Sequence, residues 1–182
     1  INTTNTQMDL GAVTLAAATT LDTGNAAAGV LNVGAVTSGT NALTLDSGST
    51  SGATIGLTSF ADATGGLTIR DAGGLVTVSG AVGDGASGDV TITNSQAGVT
   101  FGSTVDAGTL LITDTADSQD VTFSGDVTAV TLTTTANTYD VIFEEDVTVT
   151  NDVTFAAIRN LDIGGATDDI ATFTGGLDTS TN

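Results

Sequence analysis

The chain of 182 residues has no cysteine, histidine, lysine, proline or tryptophan, and its only cationic side chains are Arg70 and Arg159. Without cysteine there is no disulfide framework and no thiolate metal site. Without histidine, cysteine or lysine, nucleophilic catalysis of the usual kind has no base. The GK[ST] phosphate loop is also absent. Without lysine, an intramolecular Lys–Asn isopeptide bond is excluded. We therefore predict that the chain is not an enzyme.

The charge balance excludes further classes of function. The net charge is −19, whereas binding nucleic acid requires clustered lysine or arginine to neutralise phosphates. The same balance argues against anionic membrane surfaces. No apolar run approaches the ~18 residues that span a bilayer, so we expect no membrane insertion. A strongly acidic chain does attract divalent cations.

What the chain has in excess is threonine, 38 residues, and glycine, 24 residues, arranged in a recurring pattern. DVTF stands at 120–123 and again at 152–155, and DVTI stands at 89–92. From these starts we infer repeat units of similar length at 58–88, 89–119, 120–151 and 152–182. In residues 1–57 the pattern is irregular, and LD[TS]G recurs there at Leu21 and Leu45, an interval of 24.

Each unit contains three apolar-x-apolar triplets, which alternate as half-buried strands do. Glycine, asparagine, aspartate and serine between them indicate turns. The period is about 31 residues, and periods of 20–50 residues are typical of repeat architectures. We predict an all-β fold, a parallel β-solenoid of about six triangular coils with three short strands each. A β-sandwich would show similar strands without the repeat, and a β-propeller blade needs four strands.

The 31-residue spacing predicts that inward side chains stack in three rows and form the core, including all six phenylalanines. The first row is Phe60, Ile92, Phe123 and Phe155. The second is Ile69, Phe101, Leu132 and Ile163. The third is Val78, Ile112, Phe143 and Phe173.

The aspartates before the strands are the candidate metal ligands. The same spacing predicts that Asp89, Asp120 and Asp152 stack one above another, and Asp84 lies near Asp89 in GDGASGD. Stacked carboxylates repel, so they face solvent, accept turn N–H groups or hold cations. Calcium prefers such oxygen ligands, and we predict a structural Ca²⁺ site as one of these possibilities.

Two other patterns suggest activities for which the sequence gives less support. Asp168–Asp169, Glu144–Asp146 and the series Asp114, Asp117, Asp120 could supply acid and base groups for cutting polysaccharides. However, the single tyrosine, Tyr139, offers little to hold a sugar. The same spacing also places Thr91, Thr122 and Thr154 in one outward row, a pattern that could order water against ice if it were sustained over most coils.

The tracts GDVTITNSQAGVTFGSTV, DVTFSGDVTAVTLTT and DVTFAAIRNLDIGGATDDIATFTGGL resemble repetitive regions of large bacterial surface and secreted proteins. These include filamentous-haemagglutinin-like adhesins, autotransporter passengers and S-layer-like proteins. The resemblance covers roughly residues 58–182. It implies a right-handed β-solenoid in a stalk, fibre or coat outside the cell.

The function that we predict is an extracellular structural protein, a subunit of a fibre, sheath or coat whose copies stack head to tail. Open strand edges at the tips of a solenoid template association. Because the last repeat runs to Asn182 without an atypical capping segment, we expect either that copies stack end to end or that these repeats are a piece of a longer solenoid. A passive stalk segment of a giant adhesin is the alternative, and a polysaccharide-active solenoid is third. The sequence specifies no glycan or host ligand.

Overall fold

A computed structural model describes residues 1–62, 64–85, 88–156 and 158–178. Its described elements are all β-strands, numbered β1 to β19, and all their pairings are parallel. The chain winds repeatedly through the same three strand positions, which we call face one, face two and face three. The predicted β-solenoid with three strands per coil is therefore confirmed.

Each face is a stack of parallel strands, one per coil, and four long strands turn a corner and belong to two faces. Face one contains β1 (Met8–Leu10), the starts of β4 (Leu31–Gly39) and β6 (Ile55–Asp62), β8 (Val76–Val78), β10 (Val99–Phe101), β12 (Asp120–Phe123), β14 (Asp140–Phe143) and β17 (Asn160–Ile163). Face two contains β2 (Val13–Thr14), the ends of β4 and β6, the bridge at Val82, the starts of β11 (Val105–Ile112) and β13 (Val127–Thr134), β15 (Val147–Val149) and β18 (Ala171–Phe173). Face three contains β3 (Thr19–Asp22), β5 (Leu43–Gly48), β7 (Leu67–Ala72), β9 (Val90–Ile92), the ends of β11 and β13, β16 (Val153–Thr154) and β19 (Leu177–Asp178).

The register makes one coil shorter than the predicted repeat unit. On face one, Leu31 pairs with Ile55 in the early coils, whereas Val121 pairs with Val141 in the later ones. One coil therefore takes roughly 20 to 24 residues, at the lower end of the range for repeat architectures. Face one holds eight stacked strands, which amounts to about seven turns and is close to the six predicted. Pairing of β4 with β6 continues the same coils across the predicted boundary at residue 57.

The core lies inside the coil and consists of the inward residues of the triplets. In the triplets of β10 and β12 the pattern is buried, intermediate, buried, because successive side chains of a strand point alternately into the coil and out of it. Five of the phenylalanines are at most 1% exposed, and Phe173 packs against them from the last coil. The prediction that the phenylalanines form the core is confirmed.

The three predicted rows are wrong, although their members do line the core. Phe123 pairs with Phe101 and Phe143 rather than with Ile92 and Phe155. The three rings stack with centroids 5.1 Å apart at both steps. The spacing between the repeated tetrapeptides exceeds one coil by part of a turn, so successive copies lie on different faces. DVTF at 120–123 is on face one, whereas residues 153–154 of the second copy form β16 on face three.

Candidate functional sites

The predicted stack of aspartates is not formed, because it depended on the 31-residue spacing. Asp120 lies on face one and pairs with Asp140. Asp89 and Asp152 each precede a strand of face three, and the strands β11 and β13 lie between them. The structure therefore does not bring the predicted ligands together around one ion.

Two of the predicted ligands lie in the loop before β9, and one of them binds the next coil. The Asp89 carboxylate accepts the backbone N–H of Thr109, which lies in β11 and not in a turn, at 2.8 Å. Asp84 is exposed, and residues 86–87 of the GDGASGD segment lie outside the described residues. Among the residues that the structure describes, no group of three or more acidic side chains is arranged to hold a metal ion. Calcium binding stays a prediction.

One corner of the solenoid carries a stacked pair of aspartates with an arginine beside it. Asp22 pairs in register with Asp46, and these are the aspartates of the two LD[TS]G segments. Each accepts the N–H of the glycine two positions later at 2.8 Å. On the next coil, Arg70 binds Asp46 and lies 3.6 Å from Asp22. The guanidinium thus compensates two carboxylates that would otherwise repel.

A second corner repeats the arrangement with the other arginine. Asp120 and Asp140 are stacked, and the Arg159 Nε donates to Asp140 at 2.7 Å. The Arg159 Nη2 lies 3.6 Å from Asp120. The hydrogen bond to Asp140 raises the pKa of Arg159 above its usual value. The candidate ligand Asp120 therefore already has a cationic neighbour. Both arginines of the chain form ion pairs with stacked aspartates.

The carboxylates considered for acid–base catalysis lie in turns at the corners. Asp169 accepts the N–H groups of Gly165 and Ala166, each at 2.6 Å, and Asp146 accepts that of Ile170 at 2.7 Å. The nearby Asp169, with weaker contributions from burial and from other carboxylates, raises the pKa of Glu145. This acidic patch is a set of turn carboxylates crowded by the stacking of coils.

The remaining acid–base candidates lie at the corner that follows face three. Burial, and then the charge of Asp117, raise the pKa of Asp114. Tyr139, the one tyrosine, is 0% exposed, and its hydroxyl donates to the Ile112 carbonyl at 3.0 Å. Burial raises its pKa to about 12. The ring belongs to the core and is not a surface on which a sugar could stack.

A shallow groove lies at the corner between faces one and two in the first coils. An added Cβ at Gly56 would meet only the side-chain oxygen of Asn32, at 3.1 Å, whereas Gly34 is packed against the backbone of Gly11. The groove is lined by Leu10, Asn32, Val33, Gly34, Gly56, Leu57, Thr58, Thr77 and Ser79. None of these lining residues is acidic, so the groove and the candidate acid–base groups do not coincide.

The outward threonine row also differs from the predicted one. Thr122 is on face one, so Thr91, Thr122 and Thr154 do not align. The register instead places six threonines and one leucine along face three. They are Thr20, Thr44, Thr68, Thr91, Leu111, Thr133 and Thr154. Sequence reasoning missed this row because it used the wrong spacing.

At the two tips of the rod, the outermost strands have a neighbouring strand on one side only among the described residues. In the last coil, β17, β18 and β19 each pair with one strand among the described residues, and so do β1 and β2 in the first coil. At the tip formed by the last coil, Ile170 is 61% exposed and Leu177 is 44% exposed. Apolar side chains therefore lie at the same tip as strands that pair with one neighbour each among the described residues.

Comparison with protein-family models, curated proteins and solved structures finds no match to this chain. Within the described residues, no helix has the length and apolar character needed to cross a membrane.

Proposed function

We propose that the protein is a structural rod whose copies stack head to tail in an extracellular fibre, sheath or coat. The observation that carries the proposal is the pair of open tips. Each tip offers parallel strand edges on faces one and two, and the tip of the last coil also exposes the side chain of Leu177, which a further coil would cover as Leu177 itself covers Val153. Free strand edges with apolar neighbours template the addition of another strand.

Head-to-tail contact follows from the polarity of the strands. All pairings within the rod are parallel, so a neighbour that continues them presents β1 to β17 and β2 to β18. Residues 1–3, which pair with the outer edge of β3 through Asn2 and Asp22, would then overlap β19, so they must leave that edge when two copies join. Such a contact joins two different surfaces and leaves the same two surfaces free at the ends of the assembly. A heterologous contact of this kind gives an open filament unless its rotation closes a ring.

The extracellular setting rests on the resemblance of residues 58–182 to repetitive regions of bacterial surface and secreted proteins. The same resemblance supports the alternative, in which these coils form a segment of the stalk of a larger adhesin. In that case further coils of one polypeptide would cover the tips. The intact mass of the native polypeptide distinguishes the two functions, because a stalk requires a chain longer than this one.

Light scattering and electron microscopy of the purified chain, at rising concentration and with or without calcium, test the assembly. Leu177→Lys should abolish filaments, because it places a charge in the contact between tips. Val130→Lys is the matched control, since Val130 is 51% exposed on the middle of the rod and its substitution changes the net charge equally. A wild-type chain that stays monomeric under all these conditions contradicts the proposal.

A further inference from the structure

The alternation of inward and outward residues fixes which side chains meet where two tips stack. On β17, Leu161 and Ile163 pack against the core and Asp162 is exposed. On β1, Met8 is buried and Asp9 is exposed. A slip of one residue would turn the apolar side chains outward. Continuation of the internal register therefore places Asp162 of one copy directly opposite Asp9 of the next.

Inside the rod, two corners with stacked aspartates each carry an arginine from the following coil. The contact between tips would create a further stacked pair, but Arg70 and Arg159 already bind Asp46 and Asp140. Lysine and histidine are absent from the chain. The protein thus has no cationic side chain to place beside Asp9 and Asp162.

The groups around the two carboxylates do not supply a compensating positive charge either. Asp9 accepts hydrogen bonds from Gln7 and from Asn32, at 2.7 to 2.8 Å, and both partners are uncharged. Asp162 pairs with Ile142 of β14. The other charged groups near this stretch of β14 are Asp140, which is bound to Arg159, and the acidic residues from Glu144 to Asp146.

We infer that Asp9 and Asp162 gate the axial contact, which forms when their charges are neutralised by protonation, screened by salt or bridged by divalent cations. The inference rests on the proposed head-to-tail stacking. Two carboxylates that approach one another hold protons more tightly than they do apart, so assembly is favoured as the pH falls. Because adjacent strands lie ~4.8 Å apart, repulsion in bulk water alone would weaken association by at least about fourfold.

The experiment compares association constants, by analytical ultracentrifugation, of the wild type, Asp162→Asn and Asp162→Arg at neutral pH and low salt. Asp162→Asn should associate at least about fourfold more tightly than the wild type. Asp162→Arg should associate more tightly still, because it copies the arrangement of Arg70 with Asp46. Asp84→Arg, which makes the same change of net charge on the middle of the rod, should produce a smaller gain.

Lowering the pH or adding salt should raise the association constant of the wild type to that of Asp162→Asn. Equal association of wild type, Asp162→Asn and Asp162→Arg overturns the gate but leaves the stacking intact. So does a gain from Asp84→Arg as large as that from Asp162→Arg. Failure of every variant to associate at any pH or salt concentration overturns both the gate and the proposed function.

Discussion

The stack of three phenylalanine rings on face one makes the register measurable in solution. Phe101, Phe123 and Phe143 are each at most 1% exposed, and Phe123 lies 5.1 Å from each neighbouring ring. Aromatic pairs of this kind contribute about 0.5–1.5 kcal/mol beyond the area they bury. We therefore expect a coupling free energy of that size between Phe123→Leu and Phe143→Leu in a double-mutant cycle.

The matched pair is Phe123 with Ile92, which a 31-residue coil would make neighbours. In the structure they lie on different faces and about one and a half coils apart, which at ~4.8 Å per coil is roughly 7 Å along the axis before the distance between the faces is added. Substitutions at that distance usually add within about 0.3–0.5 kcal/mol. Phe123→Leu and Ile92→Val should therefore be additive within that margin.

Both cycles are measured by urea unfolding followed by circular dichroism, with the two single variants and the double variant in each. The observed register predicts coupling for Phe123 with Phe143 and additivity for Phe123 with Ile92. The reverse outcome would refute that register, and with it the placement of every aspartate discussed above.

Three further predictions concern the corners. Crowding by Asp169 and other carboxylates raises the pKa of Glu145 in the folded chain, so the charge of Glu145 destabilises the folded state once the pH exceeds the usual pKa of a glutamate. Glu145→Gln should therefore raise the melting temperature at pH 7 more than Glu144→Gln does. The difference between the two variants should vanish below about pH 4. Gly98→Ala should cost about 1–3 kcal/mol in the free energy of unfolding by urea, because Gly98 has a φ of +86° and an added Cβ would lie 2.8 Å from the carbonyl oxygen of Asp120. Arg159→Gln should lower the melting temperature at low salt and much less in about 1 M salt, because it leaves the carboxylates beside it uncompensated; equal losses at both salt concentrations would show that the guanidinium acts through packing.

The fold could be predicted from the sequence because each strand has the same chemistry. A triplet such as Val121–Phe123 is inward, outward, inward, and the repetition of this alternation at similar intervals, with turn residues between, indicates a solenoid. The same uniformity conceals the register. Since all three faces use similar triplets, a match between two of them does not tell which faces they occupy.

Coil length depends on the connections between faces, and these vary. Between Phe143 and Val147 the chain turns from face one to face two directly, whereas the connection between Ile163 and Ala171 is longer by four. The interval of 24 between the LD[TS]G segments at Leu21 and Leu45 is the true coil length in that region. It was the signal that could have corrected the spacing.

The candidate sites were less predictable than the fold because they depend on which outward residues meet. The pairing of Asp120 with Asp140 cannot be read from the sequence without the register. The role of Arg159, which reaches back one coil to Asp140, depends on it as well. The phenylalanines were placed correctly in the core because burial requires only the alternation and not the partner.

The most direct test of head-to-tail stacking uses the absence of cysteine from the natural chain. Continued pairing of β2 with β18 places Thr14 of one copy opposite Thr172 of the next, within the Cα separation of about 4.4–6.8 Å that a disulfide requires. At neutral pH and high salt, the double variant Thr14→Cys/Thr172→Cys should oxidise to a ladder of covalent oligomers, whereas each single variant should form no cross-links. Only monomers from the double variant, or dimers from either single variant, would contradict head-to-tail stacking.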